Sequence, residues 1–380
     1  MKIGDIATFI KRGVTPSYVD DNGIVVLNQK CIRNGKIIFS ESKLTSCTRD
    51  YNEDKFVQKN DILINSTGSG TLGRVARFDE DHGKILVDSH ITILRCESYD
   101  SVFLFHYLRM HEDYIESLGQ GSTNQLELTA DAIKNIDIPD IPIDQQKKIA
   151  DMLSPYDSLI CNCEEQISLL VETSSRVFEE WFLSDNHVNQ NDTTNVLEVS
   201  SFLKRGISPK YDELGQYSVI NQKCIRNAVM NISEARKESK EFSDEYYLQD
   251  GDTVICSTGI GTLGRVGQVF GDYPNTTFDS HVTVVRANEK IGKHYLYHAI
   301  KSKQAYLMSM GRGSTNQQEL YRAVIEELKL SLPEKEMMFA FEKMADNNHK
   351  KVNSLLEMKR HAEEAYSRVL PKLMNGEIEI

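Results

Sequence analysis

Between Asp144 and Trp181 the apolar positions advance in alternating steps of four and three. They are Ile149, Leu153, Tyr156, Ile160, Cys163, Ile167, Leu170, Ser174, Val177 and Trp181, and only Ser174 is not apolar or weakly so. That period is the seam of a coiled coil. Ser154-Pro155 reads as an N-cap followed by a first helical residue, which predicts a restart or kink there. The same spacing returns between Glu334 and Leu370, through Phe341, Ala345, Asn348, Val352, Leu355, Lys359, Ala362, Tyr366 and Val369. Asn348 and Lys359 are polar interruptions of the kind that set register and partner choice at some cost in stability. Pro371 predicts the end of that helix. Ahead of the first seam the pattern is shorter. Asp61-Ile-Leu-Ile-Asn65 and His90-Ile-Thr-Ile-Leu94 are β-type runs, and Val102 to Leu118 is one helical stretch. The polar, turn-rich run from Asp185 to Asn195 predicts a linker. The predicted layout is a globular segment over 1–143, a helix over 144–184, a linker over 185–196, a second globular segment over 197–333 and a second helix over 334–380.

The two globular segments are copies. Phe9-Ile-Lys-Arg-Gly-Val-Thr-Pro16 returns as Phe202-Leu-Lys-Arg-Gly-Ile-Ser-Pro209, and Asn28-Gln-Lys-Cys-Ile-Arg-Asn34 returns unchanged at 221–227. Ser66-Thr-Gly-Ser-Gly-Thr-Leu-Gly-Arg-Val75 returns at 257–266 with one change. Asp88-Ser-His-Ile-Thr-Ile-Leu-Arg95 returns at 279–286, and Gly119-Gln-Gly-Ser-Thr-Asn-Gln-Leu-Glu-Leu128 at 311–320. The blocks agree at 34 of 43 positions, with offsets of 191 to 193. So constant an offset means a duplicated domain, and so long a period excludes a solenoid of short units. Each copy is read as α/β (α+β) with a mainly antiparallel, irregular sheet. The copies diverge over 17–27 against 210–220 and over 35–57 against 228–248, and Gln120 becomes Arg312.

Composition narrows the class. The chain has 380 residues with 40% hydrophobic and 26% charged, enough for real cores. No apolar run approaches the ~18 residues of a membrane span. Met1-Lys2-Ile3-Gly4-Asp5 lacks the marks of a signal peptide. The seven cysteines form no Cys-x-x-Cys pair. Reduced thiols in the cytoplasm are therefore expected, with no bound metal. The net charge of -12 argues against coating nucleic acid by bulk positive charge. Its distribution softens that conclusion. Residues 144–196 hold 3 basic and 10 acidic residues, whereas 197–333 hold 17 and 16. The deficit lies on a helix whose seam faces protein.

The repeated blocks hold the residues with candidate chemistry. Gly68-x-Gly70-x-x-Gly73 and Gly259-x-Gly261-x-x-Gly264 fit a dinucleotide fingerprint, but a strand-like run follows each where a helix is needed. A tight turn is the better reading. Ser66, Thr67 and Arg74, with Ser257, Thr258 and Arg265, could still hold a phosphate around it. Asn28, Gln29, Lys30 and Arg33, repeated as Asn221, Gln222, Lys223 and Arg226, combine amides that read adenine with cations that read guanine or phosphate. Lys11, Arg12, Lys204 and Arg205 add charge. The loop residues Gln120, Ser122, Thr123 and Asn124, matched by Arg312, Ser314, Thr315 and Asn316, could meet DNA or cap a helix. Asp88-Ser89-His90 reads as a hydrogen-bonded structural histidine. Phosphate-loop, zinc-protease, serine-hydrolase and amino-methyltransferase motifs are all missing, and no catalysis is expected.

These blocks resemble the specificity subunit of type I restriction–modification systems. The resemblance spans the whole chain. It rests on the domain–helix–domain–helix order, on Ser-Thr-Gly-x-Gly-Thr-Leu-Gly-Arg, and on Gly-x-Gly-Ser-Thr-Asn-Gln ahead of Ile136-Asp-Ile-Pro139. Asp144-Gln-Gln-Lys-Lys-Ile-Ala150 and Leu370-Pro-Lys-Leu-Met-Asn-Gly-Glu-Ile378 look like the family's helices. It implies a non-catalytic subunit whose two target-recognition domains each read half of a bipartite site in double-stranded DNA. The coiled-coil helices would be antiparallel and relate the domains by a pseudo-two-fold. Two methyltransferase subunits would dock on them, joined by two restriction–translocase subunits. S-adenosylmethionine, ATP and magnesium would belong to those partners and none to this chain. About 38 helical residues span ~57 Å at ~1.5 Å each, more than a DNA turn of ~34–36 Å. An unread spacer between near-palindromic half-sites is expected. The competing reading is a coiled-coil scaffold that never touches DNA.

Overall fold

In a computed structural model the described residues are 1–79, 83–121, 126–184, 193–226, 228–313 and 318–378. The chain divides into two units, Met1–Ile160 with His361–Ile380, and Cys161–Arg360. Each unit holds one repeat and part of each of two long helices.

In the first unit four antiparallel strands lie in the order Ala7–Arg12, Ile91–Cys96, Ile62–Asn65, Val75–Arg77. Side chains alternate across a strand, so a strand buried on both faces feeds two cores. Ile62, Ile64 and Leu94 pack with Phe103, Leu104 and Leu108 of the helix Ser101–Met110, and with Ile149, Leu153, Tyr366 and Leu370 of the long helices. Leu63, Ile91 and Ile93 face Leu27, Phe78, Ile85 and Val87 on the other side. That second side belongs to a smaller sheet ordered Tyr18–Val19, Lys43–Ser46, Gly23–Leu27, Ile85–Val87, whose last pair is parallel.

The second unit repeats this plan. Its antiparallel strands run Ser200–Arg205, Val282–Ala287, Thr253–Cys256, Val266–Gln268. Arg236–Glu238, Tyr217–Ile220 and Thr276–Phe278 form the smaller sheet, again with one parallel pair. A matched ion pair pins each plan. Arg95 holds the fully buried Asp61 with Nε and Nη2 at 2.7 Å each, and Arg286 holds Asp252 at 2.8 and 2.7 Å. Thr193–Asn195, at the end of the stretch read as linker, pairs with Lys329–Ser331; residues 185–192 lie outside the described ones.

The helical stretch after the second β run is divided. Asp100 caps Ser101–Met110 by accepting from the Val102 and Phe103 amides at 3.0 and 2.9 Å. His111 then leaves the helical conformation, its Nδ1 2.8 Å from the Tyr107 carbonyl, and Glu112–Ser117 continues as a separate helix.

The long helices span Ile143–Phe182 and Lys335–Met374, 40 residues each. Within the second unit their contacts run in opposite senses: Glu164 pairs with Lys359, Ser174 with Asn348, and Phe178 with Phe341. This is antiparallel packing. Leu153, Ile160, Cys163, Ile167 and Ser174 of the seam are buried, as are Phe341, Ala345, Val352, Ala362 and Tyr366. Two expectations are corrected. The first helix does not restart at Ser154-Pro155, and Ser154 is not a cap, because its hydroxyl donates back to the Ala150 carbonyl at 2.8 Å. The second helix passes through Pro371 and ends at Met374, two residues before Gly376, whose φ of 71° suits glycine. There the Glu377 amide reaches Lys372 and the Gly376 amide reaches Leu373, satisfying the last carbonyls. Among the described residues no helix is long and apolar enough to cross a membrane.

Candidate nucleic-acid interface

The glycine turn is the centre of each repeat's polar surface. Gly68, Gly70 and Gly73 have φ of 106°, 69° and 81°, and Gly259, Gly261 and Gly264 nearly the same. A strand follows each turn, Val75–Arg77 and Val266–Gln268, so these are tight turns and not dinucleotide loops. Gly73 also admits no side chain, since a Cβ there would lie 2.8 Å from the Glu116 amide.

Much of what the two copies share is scaffold. Ser66 and Ser257 are fully buried, and their hydroxyls bond Thr92 at 2.5 Å and Thr283 at 2.6 Å. They cannot reach a phosphate, so the expected phosphate hold around the turn loses both serines. Asn28 and Asn221 are 8% exposed and are equally committed. Each accepts the amide two residues on, of Lys30 at 2.9 Å or Lys223 at 2.8 Å, and donates to a loop carbonyl, Glu41 or Glu234. An amide so engaged has no free edge for adenine. Arg12 and Arg205 end equivalent strands, and each pairs with a carboxylate, Glu127 and Glu319. Arg12 also donates to the Leu128 carbonyl at 3.0 Å. Lys11 sits 3.6 Å from Asp54 and Lys204 2.7 Å from Glu245, each over an aromatic ring.

What remains at the surface is more compact. Thr67 Oγ1 and His90 Nδ1 share a hydrogen bond at 2.6 Å, as Thr258 and His281 do at 2.5 Å. The His90 amide donates to Asp88 at 2.9 Å and that of His281 to Asp279 at 2.8 Å. Burial pushes both aspartates above the ordinary carboxylate range, and these amide bonds partly offset it. Gln29 lies against the turn: a Cβ on Gly68 would meet its Oε1 at 2.4 Å. In the second copy Thr258 donates to Gln222 at 3.4 Å. Arg74 closes on its own turn, donating to the Gly70 carbonyl at 2.7 Å, and Arg265 is half-buried. Lys30, Arg33, Lys223 and Arg226 are exposed. Gln120 and Arg312 are exposed too, and they exchange backbone hydrogen bonds with Glu127 and Glu319 at 2.8 to 3.0 Å. The loop residues Ser122, Thr123, Asn124, Ser314, Thr315 and Asn316 lie outside the described residues.

His90, read from the sequence as hydrogen-bonded, does make such a bond at the surface beside the turn, and so does His281. Two features carry no motif. Glu127 and Glu319 neutralise the arginines, and their repetition at constant offset is the available signal. Tyr18 with Lys43, and the half-buried Tyr211 with Arg236, form ring–cation pairs with exposed cations inside segments that diverge between the copies.

Comparison with known proteins decides what this duplicated fold is. The family model for the type I restriction modification DNA specificity domain matches twice, over residues 1–173 and 190–357. The chain belongs to this family. The two matches to the specificity domain coincide with the internal repeat. A curated relative, the type I restriction enzyme MjaVIII specificity subunit of Methanocaldococcus jannaschii, is 24% identical over 99% of this chain and 90% of its own length. A putative type I restriction enzyme MjaX specificity subunit of the same organism is 20% identical over 98% and 91%. The crystal structure of a type I restriction–modification S subunit from M. genitalium shares the fold, with a TM-score of 0.58, 17% identity and coverage of 98% and 95%. In this specificity family the α+β architecture of paired recognition domains and long helices is thus accounted for along the full chain.

Proposed function

We propose that the chain is the DNA-reading subunit of a type I restriction–modification complex, with each repeat reading one half of a bipartite target. The observation that carries this is the repetition within one chain of a DNA specificity domain, down to the same sheet order, glycine turn and Thr–His pair. The subunit does no chemistry. Methyltransferase subunits bring S-adenosylmethionine for N6-adenine methylation, and restriction–translocase subunits bring ATP and magnesium. The long helices set the spacing of the half-sites and dock the methyltransferase subunits; the exposed Leu159 and Leu169 on the first helix are suited to a protein contact. Similar scaffolds favour half-sites that are similar and inverted.

Sequencing of modified adenines in a host carrying or lacking this chain tests the reading. One bipartite motif is expected to vanish with the chain. An unchanged set of modified motifs would overturn it and favour a scaffold without DNA contact.

A further inference from the structure

We propose that the ring–cation pair of each repeat, Tyr18 with Lys43 and Tyr211 with Arg236, reads a base edge through its exposed cation, and that the Lys-to-Arg exchange makes the half-sites differ there. The inference rests on the DNA-reading function above and assigns specificity within it.

The two pairs are structurally equivalent. Tyr18 lies 193 residues before Tyr211, and Lys43 193 before Arg236. Lys43 and Arg236 each open the strand that pairs with the central strand of the smaller sheet. Tyr18 lies on the strand pairing with that same edge, and Tyr211 bridges to Glu238 on it. The Lys43 ammonium lies 4.6 Å from the Tyr18 ring centre, and the Arg236 guanidinium 3.5 Å from that of Tyr211. Both cations are exposed, and Tyr18 is 50% exposed.

These cations differ from Lys11 and Lys204 in being unpaired with any carboxylate. Lys11 and Lys204 also lie above aromatic side chains, but each is neutralised by a carboxylate. Among the described residues neither Lys43 nor Arg236 has a carboxylate within ion-pair distance, so each keeps its full charge. A ring beneath a cation restricts its directions and leaves the outer donors presented. The Tyr211 ring is itself fixed, its hydroxyl donating to Asp279 at 3.0 Å beside the His281 amide. The pair is therefore tied to the Thr258–His281 surface. A further ring–cation contact follows in each repeat, Arg49 over Tyr51 and Lys240 over Phe242. Cations interleaved with aromatics are the composition of a nucleic-acid surface.

The exchange has a definite consequence. A guanidinium presents a planar fork that matches the two acceptors of a guanine edge. An ammonium is a point charge with rotating donors and discriminates less. Arg236 thus specifies guanine in its half-site, and Lys43 tolerates more than one base at the matching position.

The test uses the assembled complex with its methyltransferase subunits, carrying Lys43→Arg or Arg236→Lys, on DNA libraries randomised in each half-site. Both substitutions conserve charge at exposed positions, so folding is not at issue. Arg236→Lys is expected to lower discrimination about tenfold at one position of one half-site, leaving the other half unchanged. Lys43→Arg is expected to sharpen one position of the other half. Unchanged preferences for both variants would overturn the proposal. So would a loss of affinity that is uniform across sequences, which marks a phosphate contact. Failure of the wider function would look different: the unsubstituted complex would select no bipartite motif at all.

Discussion

At the scale of single residues, repetition marks the scaffold more than the contact surface. Asn28, Ser66 and Arg12 recur because a cap, a core hydroxyl pair and a strand-end ion pair are needed wherever this domain is built. Duplication keeps such residues for stability, and a sequence cannot separate that from binding because burial is not visible in it. Glu342, which no motif marks, is strongly perturbed by its surroundings. It accepts the Tyr295 amide at the start of the helix Lys293–Ser302. Burial pushes its carboxyl up to about 7, against the opposing pull of amide bonds and Lys293. A group whose folded value is raised binds its proton more tightly in the native state. Its contribution to stability is therefore complete below the unfolded value, near 4.5, and is lost as pH rises towards 7. Glu342→Gln keeps the acceptor and removes the charge. In urea unfolding series, the stability of the variant relative to the parent chain should climb between about pH 4.5 and 7 and level off above. A difference independent of pH would show that Glu342 ionises freely in the fold.

At the scale of elements, period was the most informative signal and proline the least. The four–three spacing named residues of which most are buried, and the strands predicted at 61–65 and 90–94 stand within two residues of their observed bounds. The seam drifts at the end of the first helix, where Phe178 and Phe182 are buried and Val177 and Trp181 only half so, as expected when a 3.6-residue helix follows a 3.5-residue pattern. The break at His111 was hidden because apolar residues continue through it. Proline misled for an energetic reason. An interior proline loses a backbone hydrogen bond and clashes with the preceding turn, at a cost of ~3 kcal/mol. Burial of Leu153 and Ile160 on either side opposes it, and at ~2 kcal/mol or more for each side chain it prevails. Pro155 is itself exposed, so it adds nothing to that core. Pro155→Ala should therefore raise stability by about 1–3 kcal/mol, read from the urea midpoint at unchanged slope. A decrease would show that a bend at Pro155 is needed by the packing.

At the scale of the whole molecule, the charge deficit acquires a mechanism. Each phosphate neutralised by a protein cation releases counterions, and the salt dependence of binding counts those cations. Four of the cations chosen from the sequence are already paired: Lys11 with Asp54, Arg12 with Glu127, Lys204 with Glu245 and Arg205 with Glu319. In the first helix 8 acidic residues face 3 basic ones. Under the proposed function, non-specific phosphate affinity then falls chiefly to the partner subunits, and base contact to this chain. Titration of a labelled duplex carrying the cognate site with the isolated chain, repeated across potassium chloride concentrations, measures this directly. The logarithmic slope is expected to be shallow, about -3 or smaller in magnitude. Replacing both repeats' carboxylates, Glu127→Gln with Glu319→Gln, keeps the hairpin backbone bonds and releases Arg12 and Arg205. The slope should then steepen by about one for each arginine that reaches a phosphate. A steep slope in the parent chain, or no change on releasing the arginines, would mean that phosphate binding is built into this chain through other cations.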